Sequence, residues 1–135
     1  MYKNILIPVE LGNSDYYDEA HAVATNLLDE DGKITLIHSI EPIPTYADSY
    51  IPPDFEIKTR TGAQRDLGEV AAKLGVKSVE VVFGSAGRSI VDWAEGHDVD
   101  CIVIRSHRPV FSDIFLGSTA AWVVRHAKTS VHVVR

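Results

Sequence analysis

Five short apolar runs alternate with four amphipathic stripes along this chain, and that alternation restricts it to one fold class. The first run, Asn4-Ile5-Leu6-Ile7-Pro8-Val9, carries no charge and is closed by Pro8 and Gly12. A run that is apolar at successive positions suits a strand covered on both faces, as in a parallel sheet. Asn13 or Ser14 can cap a following helix, with Asp15, Asp18 and Glu19 favoured in its first turn by the helix dipole. Ala20, Val23, Ala24, Leu27 and Leu28 then recur at helical spacing, and Asp31-Gly32 ends the stripe.

The pattern repeats. Lys33 to Ile40 reads as a second strand, and Glu41 to Asp54 as a locally ordered loop carrying four prolines. Ala63, Leu67, Val70, Ala71 and Leu74 make a second stripe, stopped by Gly75. Ser78 to Phe83 is a third strand with Gly84 at its exit, and Ala86, Ile90, Trp93, Ala94 and His97 stripe a third helix. A fourth strand runs from about Cys101 to Ile104, a fourth helix from Ser118 to Ala127, and a fifth strand from Val131 to Arg135. The order βαβαβαβαβ predicts a single α/β domain over residues 1–135: a five-stranded parallel sheet with helices on both faces, a Rossmann-like three-layer sandwich joined by right-handed crossovers.

Bulk properties narrow the function. A chain of 135 residues can bury roughly 70% of its unfolded surface without staples. The formal charge of −6, with no dense Lys/Arg run, argues against nucleic acid or a membrane surface as the main partner. Apolar runs of about six residues are far short of a bilayer span, and a strand pattern starting at the first residues leaves no signal peptide. The lone Cys101 excludes an internal disulfide and fits a cytoplasmic protein, its thiol a buried and inert one within a strand. Scattered histidines without metal-ligand spacing give no metal site.

In a doubly wound sheet the ligand crevice lies beyond the carboxyl ends of the strands, where strand order reverses. The strand ends that matter are therefore Pro8-Val9-Glu10, His38-Ser39-Ile40 and Arg105 to Arg108. Gly117-Ser118-Thr119 opens the last helix, and backbone N–H groups freed at a helix start are suited to phosphate. Ser118 can equally be the N-cap of that helix. Arg105 and Arg108 have two readings: a guanidinium clamp on phosphate, or cations paired with Asp113, Glu10 or Asp100 that fill the pocket. His107 is either an acid–base group near a phosphate or a turn histidine bonded to backbone. Ser106, His107 and Asp113 can be written as a hydrolase triad, but the Gly-x-Ser-x-Gly elbow that would support one is missing. His126 suits the C-terminal end of its helix, where the dipole favours a cation.

The segments MYKNILIPVE, LIHSIEP, FGSAGRSIVDWAEGHDVDCIVI and LGSTAAWVVRHAKTSVHVV together resemble the universal stress protein family over essentially the whole chain. ATP-binding members carry Gly-x-x-Gly-x9-Gly-Ser/Thr after the fourth strand. Here those glycine positions are Arg105 and Arg108, and eight residues separate Arg108 from Gly117, which resembles the small F/G-type subgroup. The resemblance implies strand order 3-2-1-4-5 in an adenine-nucleotide alpha hydrolase-like fold, and an adenine nucleotide, ATP with Mg²⁺, between strands one and four. It implies that Pro8, Val9, Glu10 and Ser39 line the adenine and ribose pocket. Ser106, His107 and Arg108 would border ribose and phosphates beside Arg105, and Gly117, Ser118 and Thr119 would hold phosphate. It further implies a homodimer through the C-terminal strand and a cytoplasmic stress-response regulator, with turnover no faster than slow ATP hydrolysis or autophosphorylation. The alternative is a relative without nucleotide that acts as a protein-interaction module through Pro42 to Pro53, with Tyr46 and Tyr50.

Overall fold

Alternate residues of the central strands enter opposite cores, and this builds the layers. The computed structural model describes residues 1–12, 17–43, 51–106 and 116–135. In β1 (Tyr2–Pro8) Ile5 and Ile7 pack into one apolar cluster and Leu6 into the other. In β4 (Cys101–Arg105) Cys101 and Val103 join the first, Ile102 and Ile104 the second. The first cluster is closed by α1 (Asp18–Leu27) through Ala20 and Ala24, and by α2 (Phe55–Leu74) through Ala63, Leu67 and Ala71. The second is closed by α3 (Ala86–Gly96) through Ile90, Val91 and Ala94, and by α4 (Ser118–His126) through Ala120 and Val123. The two-residue period of a strand and the stripe of each helix thus yield a helix–sheet–helix sandwich.

With β2 (Leu28–Ile40), β3 (Ser78–Phe83) and β5 (Ser130–Val134) the sheet is five-stranded, in the order β3-β2-β1-β4-β5. Every adjacent pair is parallel. The order and the parallel pairing agree with expectation. β1 is thus the central strand, and the direction of winding reverses between β1 and β4.

One boundary differs by several residues. Helix α1 ends at Leu27 rather than at Asp31-Gly32, and β2 begins at Leu28, which pairs with Tyr2. The next matched pair is Asn4 with Lys33, so residues 29–32 are bulged out of the ladder. Ion pairs from the Met1 amino terminus to Asp29 and from Lys3 to Asp31 lay this bulge along β1. The Lys3 ammonium also holds the exposed Asp31 carboxyl below its ordinary range. A Cβ at Gly32 would sit 2.6 Å from Leu28 Cδ1, so a larger residue there would have to displace the Leu28 side chain. The proposed caps Asn13 and Ser14 lie outside the described residues.

The exit of α2 behaves as expected. Gly75 has φ of 72°, and its N–H and that of Val76 return to the carbonyls of Ala72 and Ala71. At the opposite end of the sheet from the crevice, the Asp100 carboxylate accepts from the N–H groups of Lys3 and Asn4 at 2.9 and 3.0 Å. The Asn4 amide in turn donates to the carbonyls of His97 and Asp98. The turn between α3 and β4 is thereby fixed to the start of the central strand.

Candidate functional site

The recorded pairing of β1 with β4 covers only Ile5 with Cys101 and Leu6 with Ile102, whereas β1 stays matched to β2 as far as Pro8 and Ile37. Toward their carboxyl ends β1 and β4 therefore part, and a cavity of about 660 Å³ opens there. That volume lies within the range of small-ligand sites, roughly 300–1,000 Å³. From β1 and its exit come Pro8, Val9 and Glu10, and from β2 come His38, Ser39 and Ile40. Arg105 and Ser106 enter at the end of β4, and Gly117, Ser118 and Thr119 at the start of α4. Of the eleven residues expected at the site, the nine that are described line this one cavity, and the other two are His107 and Arg108. Those two, with Asp113, Tyr46 and Tyr50, lie outside the described residues.

The floor is apolar. Ile37, Ile90, Ile104 and Ala120 line it from the second core cluster. The walls are held by hydrogen bonds that begin at the strand ends. Val9 donates its N–H to the Ile37 carbonyl at 2.8 Å, continuing the β1–β2 ladder past Pro8, which has no N–H to give. The Val9 carbonyl accepts from Nδ1 of His38 at 2.9 Å, which fixes the proton of a neutral imidazole on that nitrogen. The Ser39 hydroxyl donates to the Gly84 carbonyl at 2.9 Å.

Ser106 is 1% exposed, and its backbone is held on both sides. Its N–H donates to Val134 of β5 at 2.8 Å, and its carbonyl accepts the N–H of Gly117 at 2.7 Å. The expected role of Gly117 as a backbone donor to phosphate is therefore corrected, since its N–H is committed within the fold. Gly117 is the N-cap of α4, with φ of −59°, and its carbonyl accepts from Ala121. The proposed cap Ser118 is instead the first helical residue, so Ser118, Thr119 and Ala120 supply the leading N–H groups of the helix. All three face the cavity.

Arg105 has a partner that was not among those expected. Its guanidinium pairs with the Glu19 carboxylate on α1. Asp100 lies at the other end of β4, occupied by the β1 backbone. The Arg105 side chain is only 17% exposed and that of Glu19 66%, so the guanidinium is largely enclosed and its counter-ion faces solvent. A second carboxylate, Glu41, lies on the cavity wall and accepts from the N–H of Ala86, the first residue of α3, at 3.3 Å. Two groups suited to anions, Arg105 and the α3 start, are thus already engaged by carboxylates of the chain itself.

Sequence reasoning passed over Glu41, although it adjoins the strand end His38-Ser39-Ile40, and it missed the contact of Glu19 with Arg105 altogether. The histidines at the ends of α3 and α4 bond back to their own helices. Nδ1 of His126 donates to the Trp122 carbonyl at 2.9 Å, and the ring stacks on Trp122 at 3.8 Å between centroids. His97 and Trp93 repeat the arrangement on α3, at 2.8 and 3.9 Å. Cys101 is buried away from the cavity, and burial pushes its thiol up to about 11, as expected for an inert core residue. Among the described residues no group of His, Cys, Asp and Glu could hold a metal ion, and no helix is long and apolar enough to cross a membrane.

The model of the universal stress protein family matches residues 1–135. Universal stress protein G of Escherichia coli O157:H7 is 31% identical over 142 residues, spanning all of both chains. Among solved structures, the universal stress protein UspA from Lactobacillus plantarum superposes with a TM-score of 0.72 at 26% identity, covering 99% of this chain and 98% of that one. The universal stress protein from Archaeoglobus fulgidus in complex with dAMP shares the fold, with a TM-score of 0.65 at 20% identity and coverage of 99% and 98%.

Proposed function

This chain belongs to the universal stress protein family, and on that premise we propose that it is a cytoplasmic stress-response regulator that binds an adenine nucleotide in the β1/β4 cavity. The observation that carries the reading is convergence. Residues of β1, β2, β4 and α4, up to about 110 positions apart in the chain, meet around one cavity at the reversal of strand order. The apolar floor of Ile37, Ile90, Ile104 and Ala120 suits a purine ring, and the start of α4 suits a phosphate. The Archaeoglobus fulgidus relative, described in complex with dAMP, supports an adenine ligand for this fold.

In this reading Pro8, Val9, Glu10 and Ser39 surround base and ribose, and Ser118 and Thr119 hold phosphate by N–H and hydroxyl. Arg105, Ser106, His107 and Arg108 border the phosphate side. ATP falls within the ligand class, with any Mg²⁺ carried by its phosphates and by Glu10. No catalytic residue is assigned. The second element of the proposal is a homodimer through β5, supported by its place at the sheet edge, since an uncovered edge strand invites pairing.

A thermal-shift titration tests the binding. AMP or ATP with Mg²⁺ at millimolar concentration should raise the melting temperature. Ser118→Asp should abolish the rise by like-charge repulsion while keeping the fold, because an acidic residue in the first turn favours the helix. A wild-type melting temperature that ignores both nucleotides leaves the interaction-module reading in its place.

A further inference from the structure

We infer that Arg60 closes the β3 edge of the sheet and so restricts strand-to-strand pairing between copies of this chain to the β5 edge. β3 and β5 are the two outer strands. Both are short and rich in β-branched residues, Ser78-Val79-Glu80-Val81-Val82-Phe83 against Ser130-Val131-His132-Val133-Val134. Outer strands of this kind invite a further strand unless something blunts them.

The ladder fixes which backbone groups face outward. Gly84 donates its N–H to the Ile40 carbonyl of β2 at 3.0 Å, and successive residues of a strand turn their polar groups to opposite sides. Val79, Val81 and Phe83 therefore turn N–H and C=O away from β2, toward the outer edge. There Nη1 of Arg60, on α2, donates to the Val81 carbonyl at 3.2 Å. The guanidinium carbon lies 4.6 Å from the centre of the Phe83 ring, so the cation is held between an edge acceptor and an aromatic face. An incoming strand must take the Val81 carbonyl from a charged donor, at the middle of the run it would pair with.

The consequence is for assembly. On β5 the Val134 carbonyl turns inward to the Ser106 N–H, so Val131 and Val133 turn their polar groups outward. One pairing edge per chain gives a closed two-fold pair, whereas two give an open-ended row of copies. Arg60 keeps the second edge shut, and the occupant it excludes is another copy of the chain. This role rests on the β5 pairing proposed above only for the closed form, since opening β3 adds association whatever the wild-type state.

Sedimentation of wild type, Arg60→Met, Arg60→Lys and Phe83→Leu from micromolar to submillimolar protein tests this role. Arg60→Met keeps a long apolar stem and removes every donor, and its mass should rise to at least about twice that of wild type. Arg60→Lys keeps a charged donor and should stay at the wild-type mass. Phe83→Leu leaves Arg60 in place but frees it from the ring, and should associate only at higher concentration than Arg60→Met. In the associated Arg60→Met species the amides of Val79, Val81 and Phe83 should gain protection from hydrogen exchange. Wild-type mass for both Arg60→Met and Phe83→Leu at every concentration overturns the inference. Association of Arg60→Lys equal to that of Arg60→Met overturns it too, as does association that leaves those three amides unprotected. A monomeric wild type whose Arg60→Met variant pairs through β3 supports the role of Arg60 while removing the β5 dimer.

Discussion

The N–H of Gly117 donates to the carbonyl of Ser106 at 2.7 Å, so a hydrogen bond joins the end of β4 to the start of α4. Ser106 is tied in turn to Val134 of β5. The leading turn of α4 is thereby tied to the end of β4 through the backbone, and a ligand held as proposed by Ser118 and Thr119 would meet a preformed turn. Preorganisation of this kind lowers what binding must repay in ordering.

Packing of α3 on α4 makes the first prediction. A Cβ built on Gly87 lies 2.6 Å from both Cβ and Cγ of Trp122, so α3 approaches α4 as closely as it does only because residue 87 has no side chain. Gly87→Ala should destabilise the protein by about 1–3 kcal/mol through overpacking, seen as a lower urea midpoint at unchanged slope. A midpoint equal to wild type would show that the two helices separate at little cost.

Strain without collision is expected at the other end of α2. Gly75 has φ of 72°, and a Cβ there would meet nothing within 4 Å, so only backbone conformation opposes a side chain. Gly75→Ala should cost about 1 kcal/mol, and Gly75→Asn less, because asparagine tolerates the left-handed region better. Equal stability of both variants with wild type would contradict the Schellman exit.

The thiol of Cys101 supplies a pH dependence. Its acidity is shifted from 9.0 to about 11, mainly by burial and next by the Asp100 charge. Between those values the unfolded chain loses the proton while the folded chain keeps it, so stability falls as pH rises through that window. The loss should reach about 2–3 kcal/mol near pH 11. Other groups also titrate there, so the quantity to measure is the difference between wild type and Cys101→Ala in urea unfolding across the window. A difference that is flat in pH would mean the thiolate is tolerated in the core.

Association is expected through β5, at the edge of the sheet beside β4. Sedimentation at micromolar protein should give a dimer. A species of monomer mass throughout that range would remove the edge-pairing proposal.

Much of this fold was legible because its cues are local. The strands near Ile5, Val81 and Val103 announce themselves as apolar runs, and Gly75 stops a helix where its stripe ends. The start of β2 was not legible. Leu28 continues the helical stripe by spacing, yet it is drawn into the ladder by pairing with Tyr2 and by the ion pairs of Met1 with Asp29 and Lys3 with Asp31. The same limit applies at the site. Residues such as Ser39 and Ser118 could be placed by their positions at a strand end and a helix start. The partner of Arg105 could not, because Glu19 is 86 positions away and sits in what reads as an ordinary acidic first turn. The commitment of the Gly117 N–H to Ser106 likewise depends on how the chain returns, which no spacing rule encodes.

The central claim is that an adenine nucleotide occupies the β1/β4 cavity with its phosphate at the start of α4. Isothermal titration of AMP into wild type and Ser118→Asp tests it most directly. The account predicts saturable binding of one nucleotide per protomer to wild type and none to Ser118→Asp, with both proteins equally folded. Absence of binding to wild type, or undiminished binding to Ser118→Asp, would contradict it.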